Sequence, residues 1–234
     1  MSRVDREVEP MLEFEKTVPS AAQDGTPVVV LLHGRGSDER DLLGLARYLP
    51  EDVALVTPRA PFPAAPWGYG PGWAWYRFLG GDRPEPESFE AAQQALDTFL
   101  VGLPSLLPFA PGPLALGGFS QGGTMSLAYA LRNPGRVPLV LNFSGFLPDH
   151  PSVSATARTV EGTRFFWGHG VADPAIPFAL AREGRAALRA AGAELAAHDY
   201  PIGHGIHPKE LDDAVAWLRG GFGSPATGGA PEHE

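Results

Sequence analysis

Short apolar runs alternate along this chain with longer segments whose apolar residues recur every three or four positions. Pro27–Gly34 reads PVVVLLHG, with five consecutive valines and leucines. A run of that kind predicts a strand buried on both faces, as in a parallel sheet. VALVTP from Val53, LALGGF from Leu114, PLVLNFSGF from Pro138, RFFWGHG from Arg164 and ELAAHDY from Glu194 predict further strands. Met11–Val18 alternates apolar and charged residues, the pattern of an edge strand.

Helical spacing fills the intervals. SDERDLLGLARYL predicts a helix with Ser37 as N-cap, acids in the first turn, and Leu42, Leu45, Ala46 and Leu49 on one face. SFEAAQQALDTFLVGLPSLL predicts a helix bent or ended near Gly102–Pro104. Gln121–Arg132 is a third helix, IPFALAREGRAALRAAG a fourth with Gly192 as C-cap, and PKELDDAVAWLRGG a last one opening on Pro208. Residues 1–10 read as a loose arm and 221–234 as a flexible tail. Regular alternation of strands and helices predicts an α/β fold: one domain over residues 1–220, with a mostly parallel sheet covered by helices on both faces. Binding sites in such sheets lie at the carboxyl ends of the strands. One segment breaks the alternation. Residues 58–83, including WGYGPGWAWYRFLGG, are too long and too apolar for a plain connection and read as an insertion beside the site.

Composition narrows the possibilities. The 234 residues are 44% hydrophobic and 19% charged, enough for a real core. A net charge of -9 without a Lys/Arg run argues against nucleic-acid binding. With no cysteine there is no disulfide, Cys nucleophile or thiolate metal site. The charged N-terminus MSRVDREVEPMLEFEK lacks the apolar core of a signal peptide, and no apolar run is long enough to span a membrane. The expectation is a cytoplasmic protein without stable membrane insertion.

The candidate chemistry centres on Gly118-Phe119-Ser120-Gln121-Gly122. G-x-S-x-G between a buried strand and a helix forms a turn so tight that side chains flanking the serine would strike backbone, and glycine removes them. The serine hydroxyl then stands above the sheet, and the next helix aims its free N–H groups at the site. A serine needs a base, and in this arrangement the partners follow in the order Ser, acid, His. His204, in YPIGHGIHP before the last helix, is flanked by Gly203 and Gly205, which let the loop aim its ring inward. His207 is the alternative, its bland role being to cap that helix. His33 and His169 precede glycines at strand ends and read as organisers of the backbone. Asp173, in VADPAIP after a strand, is the candidate acid, with Asp149 and Asp199 as rivals. A developing oxyanion needs two N–H donors about 3 Å away. The backbone N–H groups of Gln121 and of Arg35, between Gly34 and Gly36, are the candidates.

LLHGRGSDERDL, GGFSQGG, FSGFLP, GHGVADPAIP and YPIGHGIHPKEL, in that order between about Pro27 and Arg219, together resemble the phospholipase/carboxylesterase family of α/β-hydrolases. That family includes small bacterial carboxylesterases and acyl-protein thioesterases. The resemblance implies Ser120, Asp173 and His204 as a catalytic triad and Arg35 and Gln121 as backbone oxyanion donors. It implies no metal and no cofactor. The Trp/Tyr/Pro/Gly cluster of residues 58–83 departs from the family pattern.

The expected reaction is hydrolysis of a small-molecule carboxylic ester, thioester or lysophospholipid of short to medium acyl chain, through an acyl-enzyme. Trp67, Tyr69, Trp73, Trp75, Tyr76 and Phe78 are expected to wall the acyl pocket, with Phe146, Leu147 and Ile176 opposite. An exposed aromatic patch in the insertion would favour a homodimer. A peptidase or lactonase on the same scaffold, or a hydrolase-fold protein that binds without turnover, are the rival readings.

Overall fold

A computed structural model describes residues 11–223. Its strands are β1 (Phe14–Thr17), β2 (Val28–Leu32), β3 (Ala54–Pro58), β4 (Phe62–Pro63), β5 (Trp73–Ala74), β6 (Leu114–Phe119), β7 (Leu139–Phe143), β8 (Arg164–Gly170) and β9 (Glu194–Tyr200). Its α-helices are α1 (Pro86–Leu106), α2 (Gln121–Arg132), α3 (Phe178–Ala190) and α4 (Pro208–Phe222). Seven strands form one sheet in the order β1-β3-β2-β6-β7-β8-β9, and β4 pairs with β5 apart from it. Within the seven-stranded sheet β1 is antiparallel to β3, and the other neighbouring pairs run parallel.

The unbroken apolar run of β2 has a direct physical cause. Val28, Val30 and Leu32 face a core shared with α1 and α2, while Val29 and Leu31 face a second core shared with α4. Both faces are covered, so neither set of positions tolerates a polar residue. In register, Val28–Leu32 lie beside Leu114–Gly118 of β6. The carboxyl ends of β2 and β6 therefore finish side by side, and the loops after them share one rim.

Four local readings need correction. Ser37 does not cap a helix: its carbonyl accepts from Trp73 N–H at 2.7 Å, and Trp73 in turn accepts from Gly36 N–H at 2.8 Å. That pairing commits residues 36–37 to β5, and only Leu43–Tyr48 coil, as a 3-10 helix. α1 runs through Pro104 to Leu106, because burial of Leu103 and Leu107 carries the chain past a missing donor in the last turn. Ala191 is the C-cap of α3, and Gly192 follows it in the left-handed region at φ 83°. Gly221 and Phe222, read as tail, belong to α4, where Gly221 packs so closely on Leu139 that a Cβ would lie 2.7 Å from its methyl carbons. The proposed arm 1–10 and the rest of the tail lie outside the described residues. No helix among the described residues is long and apolar enough to cross a membrane.

The start of α4 carries a buried acid. His207 accepts from Lys209 N–H and Glu210 Oε2 accepts from His207 N–H, both at 3.1 Å, completing a capping box. Glu210 is fully buried, in space left free by Gly168 of β8. Burial pushes its carboxyl from the ordinary 4.5 up to about 7. Between those values the folded chain holds a proton that the unfolded chain has released, so stability falls as pH rises through that window. Glu210→Gln keeps an acceptor for His207 without the charge. The melting temperature of the variant minus that of the parent should rise between about pH 5 and about pH 8. A difference constant over that range would contradict this reading.

Candidate active site

Ser120 lies between β6 and α2 with φ 56° and ψ −117°, a conformation costly for a residue with a side chain. Its N–H donates to the Phe143 carbonyl at 2.8 Å, and its carbonyl accepts from Thr124 N–H at 3.0 Å. The glycines around it answer to close backbone approach. A Cβ on Gly118 would lie 2.5 Å from the Gly122 carbonyl carbon, and one on Gly122 would collide with the Leu32 carbonyl. α2, buried from Gln121 to Leu131, is thereby pulled onto the sheet.

Three side chains distant in sequence meet above this turn. His204 Nε2 lies 2.9 Å from Ser120 Oγ, and His204 Nδ1 lies 2.7 Å from Asp173 Oδ2. These partners assign the proton to Nδ1, leaving the Nε2 lone pair for the serine hydroxyl. Asp173 is held from below: its Oδ1 accepts from the N–H groups of Ala175 and Ile176, each at 2.8 Å. The Phe119 ring packs on His204 with centroids 4.8 Å apart.

The rival residues have other partners. Asp199 pairs with the buried Arg185. His207 caps α4. The buried His33 ring lies 2.7 Å from the Gly34 carbonyl through Nδ1 and accepts from Ala60 N–H at 3.0 Å through Nε2. His169 Nε2 lies 2.9 Å from the Ile176 carbonyl and 3.6 Å from Asp173 Oδ2. Burial lowers the pKa of both His33 and His169, which keeps each ring neutral.

The loop after β2 runs beside the serine. A Cβ on Gly34 would lie 3.1 Å from the Phe119 ring and 3.6 Å from Ser120 Cβ. Gly36 has φ 82°, and a Cβ there would lie 2.5 Å from the Tyr69 carbonyl oxygen. Further along, Arg59 donates to both carboxylate oxygens of Glu39, at 2.6 and 2.9 Å. These bonds hold the buried Glu39 carboxyl down at about 2 and tie the loop to the end of β3. The backbone N–H groups of Arg35 and Gln121 donate to no other described group.

Ser120 and His204 open on a cavity of about 300 Å³. Tyr76, Phe78, Phe146 and Ile176 line it, as do Arg35 and Gln121. Trp67, Trp73 and Trp75 do not, which corrects the expected pocket, and Tyr69 and Leu147 are likewise absent from its lining. Trp75 is spent in the core, its indole N–H donating to the His33 carbonyl at 2.9 Å. Trp73 packs under Arg59, and Trp67 against Phe62 and Tyr69.

Sequence reasoning missed Phe119, Ser37 and Asp41 as lining residues. Phe119 had a positional signal, since it immediately precedes the serine; Ser37 and Asp41 had none. The side chain of Gln121 was also missed. It accepts from Trp75 N–H at 3.1 Å and donates to the Tyr76 carbonyl at 2.9 Å, clamping the aromatic wall to the turn.

Known proteins share this architecture. The family model for phospholipase/carboxylesterase matches residues 14–220. An acyl-protein thioesterase 1 of Gibberella zeae is 27% identical, the match covering 85% of this chain and 92% of that protein. A protein of Oryza sativa subsp. japonica named "probable inactive carboxylesterase" is 30% identical over 81% of this chain and 82% of its own length. Among solved structures, esterase PE8 superposes with a TM-score of 0.79 at 30% identity, covering 91% of this chain and all of that one. From the fold, the strained serine turn and these matches together, the chain belongs to the phospholipase/carboxylesterase family of α/β-hydrolases.

Proposed function

We propose that this protein is a serine hydrolase of carboxylic esters and thioesters, with Ser120 as nucleophile, His204 as general base and acid, and Asp173 orienting the imidazole. The observation that carries the reading is the continuous line from Asp173 Oδ2 to His204 Nδ1 at 2.7 Å and from His204 Nε2 to Ser120 Oγ at 2.9 Å. Names of relatives alone would not carry it, since one is called inactive.

The steps follow from the hydrogen bonds. As Ser120 Oγ attacks the carbonyl carbon, His204 Nε2 takes its proton, and the Asp173 carboxylate stabilises the imidazolium. Negative charge develops on the carbonyl oxygen, toward which the N–H groups of Gln121 and Arg35 donate. His204 then gives its proton to the departing alcohol or thiol. Water, activated by the same imidazole, attacks the acyl-serine and releases the acid. Fixed donors need no rearrangement as charge builds, which is where most of the rate gain lies.

The cavity limits the acyl group. Its roughly 300 Å³ lies at the low end for ligand sites, and Phe78, Phe146 and Ile176 give it apolar walls. In this reading residues 14–220 act as one hydrolase unit, and the aromatic insertion closes one side of the site through Tyr76 and Phe78.

Nitrophenyl esters of graded length should be turned over fastest at short to medium chains and poorly as palmitate; palmitate as the best substrate would contradict the cavity argument. Ser120→Ala should abolish both turnover and labelling by a fluorophosphonate probe, and turnover kept within a few-fold would refute the mechanism. Asp173→Asn should lower kcat by roughly 10³–10⁴-fold while the fold is retained, since the asparagine leaves the imidazolium without its counter-charge and favours the wrong tautomer. A loss under tenfold, measured by steady-state kinetics on a folded variant, would remove Asp173 from the triad.

A further inference from the structure

The side chain of Arg35 has no part in the chemistry above, which uses only its backbone N–H. It is nevertheless the one permanently cationic side chain among the residues lining the cavity that holds Ser120 and His204. The guanidinium carbon lies 4.5 Å from the Tyr69 ring centroid and 5.9 Å from that of Phe78. A cation–π contact does not use up the N–H donors of a guanidinium, which stay available to other partners. Among the described residues those donors make no hydrogen bond and no ion pair, although the chain has 27 Asp and Glu against 18 Lys and Arg.

The backbone beneath is locked. Gly36 donates to the Trp73 carbonyl and abuts the Tyr69 carbonyl, so Arg35 is pinned between the serine turn and the aromatic segment. An unneutralised guanidinium on a residue that lines the same cavity as the serine can receive a carboxylate or phosphate oxygen. A pocket for neutral acyl chains alone has no use for it. One carboxylate, Asp41, also lines the cavity without pairing with Arg35, and it sets a like-charge limit on how much negative charge enters.

We propose that Arg35 makes this site select esters bearing one anionic group a few atoms from the scissile carbonyl, on either the acyl or the alcohol side. The inference rests on Ser120 being the nucleophile. The guanidinium holds the anionic end, the scissile carbonyl falls beneath the Gln121 and Arg35 N–H groups, and Ser120 attacks as before. Because Arg35 is an exposed residue, its replacement spares the core.

The test compares kcat/KM within two matched pairs: monoethyl adipate against ethyl hexanoate, with the charge on the acyl side, and 4-(butyryloxy)benzoate against phenyl butyrate, with the charge on the leaving group. The expected result is that the anionic-to-neutral ratio falls about tenfold in Arg35→Gln for one pair, which assigns the side, and falls less in Arg35→Lys, which keeps a charge but not the fork. Asp41→Asn should raise the same ratio in the parent background, and added salt should lower it. A ratio changing less than about threefold in both pairs overturns the proposal and leaves Arg35 as packing for Tyr69 and Phe78. Failure of the parent protein to hydrolyse any of the four esters would instead overturn the hydrolase reading itself.

Discussion

The site depends on holding one residue in a backbone conformation it would not choose. Ser120, at φ 56° and ψ −117°, stores strain of about 1–3 kcal/mol for a residue with a Cβ. What opposes that strain is the fit of α2 onto β2 and β6. Glycines at 118 and 122 let backbone touch backbone, and eleven consecutive residues from Gln121 to Leu131 are buried behind the turn. Relaxing the serine would lift α2 from the sheet and expose that surface. The same strained turn lifts Oγ above the sheet edge and leaves the Gln121 N–H without an acceptor among the described residues, so one constraint supplies both the proposed nucleophile and one proposed oxyanion donor.

Around that fixed point, short polar links hold the loops. The Asp173 carboxylate spends one oxygen on two backbone N–H groups and keeps the other for His204. The His204 ring rests on Phe119, so its plane is set from two directions. The loop carrying Arg35 is bridged to β5 through Trp73 and tied to β3 through Glu39 and Arg59. Gln121 joins the two halves, its backbone N–H being the proposed oxyanion donor and its side chain gripping the wall at Trp75 and Tyr76. Preorganisation of this sort is what an acyl-transfer site requires, because donors that had to move would cost more than they contribute.

The seven strands of the main sheet, the serine turn and the candidate His204 were legible in the sequence because each carries a local signal: apolar runs, G-x-S-x-G, and glycines flanking the histidine. Asp173 was marked only by its place after a strand, and the β4–β5 pair not at all. The pocket was only half legible. Trp73 and Trp75 look like pocket aromatics from composition, yet long-range bonds to Ser37 and His33 commit them elsewhere. The lost helix at Ser37 has the same origin, since a pairing with Trp73 across the chain outweighs a local capping preference. Pro104 within α1 and Gly221 within α4 fail as stop signals where core packing holds the helix on. Misreadings fall where partners far apart in sequence decide the outcome.

The most direct test of the central claim is a crystal structure of the protein after reaction with a small fluorophosphonate, whose phosphoryl oxygen stands in for the oxyanion. The account predicts a covalent bond to Ser120 Oγ, with the phosphoryl oxygen about 3 Å from the backbone nitrogens of both Gln121 and Arg35 and with the His204 ring still on Asp173. An adduct whose phosphoryl oxygen turns to solvent, away from both nitrogens, would contradict it.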